Sequence, residues 1–195
     1  KEIESSKIID KLGLKVGKYF VVSSHREENV DSIDNLLKIL GICNDLASRY
    51  GIPVIFSTHP RTRKRLDALG FIADPLIQFL KPFGFFDYIK LQTESRCVLS
   101  DSGTITEESS ILNFPALNIR EVNERPEGFE EGSVVMVGLN SDLVMQSLNL
   151  MNDQPRGANR LLKIVEDYSS VNVSDKVLRI ILSYTSFVNR KIWHK

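Results

Sequence analysis

Sulfur, one-signed charge and long apolar runs are all scarce in this chain, and each shortage removes a class of protein. Only two cysteines occur among 195 residues, Cys43 and Cys97, and both lie inside apolar stretches. Two such residues make no disulfide framework, and no Cys/His spacing fits zinc. Buried free thiols in a reducing, cytoplasmic setting are the expectation. No run approaches the ~20 apolar residues that cross a bilayer. No leader is recognisable either, since Lys1-Glu-Ile-Glu-Ser-Ser-Lys7 is charged and periodic. The 25 basic and 25 acidic side chains cancel. That balance argues against nucleic acid and membrane surfaces as partners, and any anion must be held by a local constellation. A glycine-rich dinucleotide fingerprint is also missing, because Gly13 and Gly17 precede the first strand. No aspartate cluster suggests magnesium. No cofactor and no metal are expected.

What is present is an ordinary globular composition, 42% hydrophobic and 26% charged. The first residue is not methionine, and Ile3, Ile8, Ile9 and Leu12 already form a helical apolar face. This reads as the middle of a longer protein or a processed fragment. Strand-length apolar runs then alternate with helical patterns. Strands are expected at 19–23, 54–57, 76–79, 97–100, 116–119 and 133–137. Helices are expected at 32–50, with Ile33, Leu36, Leu37, Leu40 and Leu46 apolar, and at 61–69, 85–93 and 104–112. Beyond Gly138 the pattern is helical at 143–151, 158–167 and 173–193. Strands apolar on both faces and separated by helices imply an α/β fold, a doubly wound, Rossmann-like parallel sheet. The domain division expected is 1–151 for the sheet domain and 152–195 for a C-terminal helical extension. Phe83, Phe85 and Phe86 read as core, with Pro82-Phe83 a place where a planar base can rest.

In such sheets ligands bind beyond the carboxyl ends of the strands. Polar residues gather there: Ser24-His25-Arg26-Glu27-Glu28-Asn29 after the first strand and Thr58-His59-Pro60-Arg61 after the second. Asp101-Ser102-Gly103 follows the fourth strand, and Arg120 with Arg125 the fifth. His25, set among Arg26, Glu27 and Glu28, reads as functional. His59 reads equally as a turn former or a ligand contact. Arg63, Lys64 and Arg65 read as a solvated helix face. Strand, Ser-Gly turn and helix start at 97–104 make a phosphate site, with unpaired N–H groups and the helix dipole facing an anion. Glu107 and Glu108 suit sugar hydroxyls, or complement the dipole, with Thr104 and Glu107 matching a capping box. Arg125 reads as paired with Glu124 or Glu127, or as an anion contact. The ligand implied is a nucleotide or nucleotide-sugar.

Three ordered motifs carry a resemblance: Ser24-His-Arg-Glu-Glu-Asn29, Ser100-Asp-Ser-Gly-Thr-Ile-Thr-Glu-Glu108 and Asn123-Glu-Arg-Pro-Glu-Gly128. They resemble the non-hydrolysing UDP-N-acetylglucosamine 2-epimerase family. The resemblance implies the C-terminal, UDP-binding domain of a GT-B type two-domain protein, its closing helices returning toward an N-terminal domain. It implies a UDP-N-acetyl-amino sugar as ligand and a homodimer of the full-length protein. By resemblance His25 is catalytic, contacting the diphosphate or the reacting sugar, and Ser102, Gly103 and Thr104 face the phosphates. Glu108 holds the ribose, Glu107 supports the turn, and Arg125 pairs with phosphate or sugar. Arg26 and His59 match positions that bind a second, regulatory UDP-sugar in some members. Thr104 and Thr106 replace a glycine and a glutamine of the family pattern. These departures resemble the branch that makes UDP-N-acetyl-L-fucosamine from its L-talose epimer, serving capsule and O-antigen synthesis. Alternative readings are a UDP-GlcNAc/UDP-ManNAc epimerase, a hydrolysing epimerase, a GT-B glycosyltransferase domain, and a non-catalytic UDP-sugar-binding module.

Overall fold

Strands that are apolar at every position need cover on both faces. The computed structural model, which describes all 195 residues, gives them that cover in one six-stranded parallel sheet. Two one-turn helices, α1 (Glu2–Ser5) and α2 (Ile8–Lys11), lead into β1 (Phe20–Ser23). There follow α3 (Glu27–Val30), α4 (Ile33–Tyr50), β2 (Val54–Ser57), α5 (Pro60–Leu69) and β3 (Ile77–Leu80). The chain continues through α6 (Phe85–Glu94), β4 (Cys97–Ser100), α7 (Ile105–Leu112) and β5 (Ala116–Asn118). Then come α8 (Pro126–Glu130), β6 (Val135–Met136) and α9 (Ser141–Leu150). Strand order is β3-β2-β1-β4-β5-β6. The winding therefore reverses between β1 and β4, the place where open α/β sheets bind ligands. Ser23 stands level with Ser57 on one side and Ser100 on the other, and Ser100 with Asn118.

Alternation along each strand builds two cores. Phe20, Val22, Phe56, Cys97 and Leu99 meet Ile39, Cys43 and Leu46 of α4 and Val144 and Leu148 of α9. Tyr19, Val21, Ile55 and Val98 point the other way, onto Ile8, Leu91, Ile105 and Phe114. Each fully buried Leu, Ile or Phe contributes roughly 1.5–3 kcal/mol, so this double layer dominates stability. Ser32 caps α4 by accepting from Asn35 N–H, and Gly51 closes it at φ +60. The apolar stripe of α4 is centred on Leu36, Leu40 and Cys43. Ile33 and Leu37 fall on its flank and stay 58% and 42% exposed. Phe85 and Phe86 do not fill core: they are 71% and 43% exposed at the start of α6, and only Phe83 packs inward. Cys43 and Cys97 are buried and free, and burial pushes both thiols up to about 12.

The helix expected at 158–167 does not form. Its polar groups are engaged elsewhere. The Arg156 guanidinium donates to the Ser95 and Arg96 carbonyls, and Arg160 to those of Ser110 and Ile111. Asn113 Nδ2 donates to the carbonyls of Gly157 and Asn159, and Val165 N–H to Ser110 Oγ. The segment is a strap across α7 and the α6–β4 turn. The chain divides into two compact units, Lys1–Val165 and Glu166–Lys195. The second contains a 3-10 turn at Glu166–Tyr168 and the helix α10 (Val173–Lys191). Ile180, Ile181, Tyr184, Val188 and Trp193 line a shallow apolar groove on it. No helix is long and apolar enough to cross a membrane.

Candidate functional site

Two strand ends are stitched together at the point where the winding reverses. Asp101, one residue past β4, is fully buried. Its Oδ2 accepts from Ser24 Oγ at 2.7 Å, the His25 and Arg26 N–H groups at 3.0 Å and Asn29 Nδ2 at 3.1 Å. His25 Nδ1 lies 3.3 Å from Oδ1. A buried carboxylate is costly unless it is hydrogen-bonded, and this one is saturated. Asn29 also donates to the Ile119 carbonyl, which ties β5 to the same knot. Thr62 Oγ1, on α5, donates to the Ser24 carbonyl. Burial raises the pKa of the Tyr88 hydroxyl to about 12, and the nearby Ser23 side chain opposes that rise.

The start of α7 forms a shelf beside this knot. Ser102 Oγ lies 3.0 Å from Thr104 Oγ1, which donates to Glu108 Oε1 at 2.8 Å. The other Glu108 oxygen accepts from Gln92 Nε2 at 2.7 Å. Glu108 is thus pinned from both sides, an oriented acceptor. Thr106 Oγ1 lies 2.9 Å from the Gly103 carbonyl and 2.8 Å from Glu107 Oε2. The capping box expected of Thr104 and Glu107 is not made: Thr104 makes no side-chain cap bond and reaches Glu108 instead. Glu107 turns to Arg125, whose Nε donates to Oε1 at 2.9 Å. Burial raises the Glu107 carboxyl, but the bonds from Arg125, its own N–H and Thr106 outweigh that and hold it below its ordinary value. The Arg125 side chain therefore bridges to α7, beyond the neighbours expected from sequence.

Over Gly103 sits the Glu124 carboxylate, between Arg26 Nη2 and Arg120 Nη1, each at 3.0 Å. Arg120 is buried and also holds Glu28 at 2.7 Å. Hydrogen bonding from Arg120 lowers the Glu124 pKa. A Cβ at Gly103 would lie 3.2 Å from Glu124 Oε2 and 3.6 Å from Arg26 Nη2, so the bare glycine makes room for this contact. His25, Arg26, Ser102, Gly103, Thr104, Glu107, Glu108 and Arg125 are brought to one edge by these bonds. His59 stands apart at the end of β2, capping α5 through Nδ1 to Arg61 N–H. Arg61 reaches Glu27 and Asp31. Arg63 is not a solvated residue: it lies over the Phe79 ring and donates to the Phe79 carbonyl.

Sequence reading missed Asn29 as a cross-strand tie, Gln92, and the Glu124 bridge. Gln92 had a signal, a polar residue three positions from Ile89 on the buried face of α6. The role of Asp101 needs the parallel register of β1 and β4, which no local pattern supplies. No group of three or more His, Cys, Asp or Glu residues is placed to hold a metal ion.

A family model described as UDP-N-acetylglucosamine 2-epimerase matches residues 1–182. A UDP-N-acetylglucosamine 2-epimerase of Methanococcus maripaludis is 33% identical over 149 residues, 74% of this chain and 40% of that protein. The structure of UDP-N-acetylglucosamine 2-epimerase from Rickettsia bellii matches with a TM-score of 0.84 and 42% identity, covering 100% of this chain and 52% of that one. The Methanocaldococcus jannaschii UDP-GlcNAc 2-epimerase in complex with UDP-GlcNAc and UDP matches at 0.80 and 27% identity, covering 93% and 50%. The chain spans about half the length, or less, of these relatives.

Proposed function

Because this chain belongs to the UDP-N-acetylglucosamine 2-epimerase family, we propose that it is the UDP-sugar-binding domain of a UDP-N-acetylhexosamine 2-epimerase. The observation that carries the reading is the α7 shelf: a helix start at the bare Gly103 beneath the Glu124 carboxylate, arginines beside it, and Glu108 held as an oriented acceptor. The diphosphate sits at the helix start, where the dipole favours negative charge, and it replaces the Ser100 and Ser102 hydroxyls as acceptor of the Ser102 and Thr104 N–H groups. Glu108 accepts from the ribose hydroxyls. Inversion proceeds by loss of the C2 proton and cleavage of the C1–oxygen bond to UDP, giving a glycal. Reprotonation of C2 on the opposite face and re-addition of UDP complete it. Charge develops on the departing diphosphate, and His25, Arg125 and the helix start stabilise it. Arg26 and His59 are the positions proposed for a second, regulatory UDP-sugar.

The carboxylates that act at C2 belong to an N-terminal domain in this family. The chain alone is therefore proposed to bind UDP and to turn nothing over, and the complete protein to work as a homodimer. The finer reading is UDP-N-acetyl-L-fucosamine formation for capsule or O-antigen. Its support is Thr104 and Thr106, whose hydroxyls set the two glutamates of the shelf. Calorimetry with UDP, followed by NMR of the sugar C2 proton in D2O, tests the domain assignment and the division of labour. Expected are UDP binding that Glu108→Ala weakens and no deuterium uptake by the chain alone. Absence of UDP binding overturns the domain assignment, and C2 exchange catalysed by the chain alone overturns the division of labour.

A further inference from the structure

His25 turns one ring nitrogen to protein while about half of its side chain is open to solvent. Nδ1 lies 3.3 Å from Asp101 Oδ1, and the His25 side chain is 47% exposed while that of Asp101 is 0%. The carboxylate cannot rotate away, because the Ser24 hydroxyl, two main-chain N–H groups and the Asn29 amide all hold Oδ2. An ionised carboxylate accepts hydrogen bonds and donates none, so a contact of this length favours the proton on the nitrogen that faces it.

We propose that Asp101 is a positioning residue: it holds the His25 imidazole with its proton on Nδ1, so that Nε2 is the only ring position able to exchange a proton with a ligand or the cleft. The inference rests on the epimerase reading, in which the group facing His25 is a nucleoside diphosphate and its sugar. In the neutral ring Nε2 is an acceptor. When it takes a proton from solvent, Nε2–H faces the departing diphosphate and Asp101 balances the imidazolium charge. That proton returns to solvent, and His25 makes or breaks no bond to carbon. The same chain holds an opposite case. Nδ1 of His59 accepts the Arg61 N–H, so in the neutral ring of His59 the proton belongs on Nε2.

Long-range 1H–15N spectra of the ligand-free 195-residue chain, at a pH where imidazole is neutral, read both tautomers at once. The expected result is Nδ1–H for His25 and Nε2–H for His59. A predominant Nε2–H form of His25 overturns the proposal and leaves the epimerase reading untouched, since no ligand is present. A second measurement crosses Asp101→Asn with His25→Gln, whose amide reaches the Nε2 position but offers nothing at Nδ1. With His25 in place, Asp101→Asn should weaken UDP binding about tenfold, the scale of one charge-assisted hydrogen bond. In the His25→Gln background the same change should weaken it by no more than about twofold. Equal losses in the two backgrounds would make Asp101 merely structural and overturn the proposal. Should Asp101→Asn fail to fold, the wild-type tautomers decide alone. Wild-type chain that binds no UDP but shows the expected tautomers removes the epimerase reading instead.

Discussion

Gly103 has an ordinary backbone conformation, so its missing side chain matters for space alone. Gly103→Ala places a methyl 3.2 Å from the Glu124 carboxylate, the far end of a flexible side chain that can move a few tenths of an ångström. Folding stability should therefore change by less than about 1 kcal/mol, while UDP affinity should fall about tenfold if the methyl stands on the proposed phosphate shelf. Urea denaturation and calorimetry on the same variant separate the two effects. Glu107 makes a complementary case in charge. Its folded pKa lies below its ordinary value, so its contact with Arg125 stabilises the fold fully above the ordinary carboxylate range. That contribution fades as pH falls through the lowered folded value. Arg125→Ala should move the Glu107 titration midpoint upward in 13C carboxyl spectra, and an unmoved midpoint would remove Arg125 as its partner.

Among elements, α7 is stopped by a residue with two jobs. Asn113 adopts φ 56 at the helix end and donates to the Gly157 and Asn159 carbonyls, anchoring the strap. Asn113→Ala combines left-handed strain with the loss of both bonds and should cost about 2–3 kcal/mol, read as a lower urea midpoint at unchanged slope. This strap marks where sequence reading runs out. The strands are legible because Phe20–Val22, Val54–Phe56 and Cys97–Leu99 are apolar on both faces, a pattern only a covered parallel sheet explains. Residues 158–167 carry an equally plausible helical pattern. Arg156, Arg160 and Val165 instead find partners some fifty to sixty residues away. The one-turn helices α3 and α8 are too short to show periodicity. The candidate site divides the same way. Ser102, Glu107 and Glu108 announce themselves within one motif, whereas Asp101 with His25, and Glu124 with Arg26, meet only through strand order.

For the molecule as a whole, both core layers close within the first unit. A chain ending at Val165 should thus fold cooperatively, with its thermal midpoint within a few degrees of the 195-residue chain; loss of the transition in circular dichroism would show that the second unit is required. The cancellation of 25 positive by 25 negative side chains also recurs in miniature at the site. There Arg26, Glu124, Arg120 and Glu28 alternate in sign along one chain of contacts. On the proposed reading the shelf is an ion exchanger with a tethered counter-ion: an arriving diphosphate would displace the Glu124 carboxylate that lies over Gly103. Affinity for UDP then measures the difference between two anions, and because few mobile ions change hands its salt dependence should be shallow. Glu124→Gln cuts the tether's charge, and UDP should bind that variant more tightly and with a steeper response to salt.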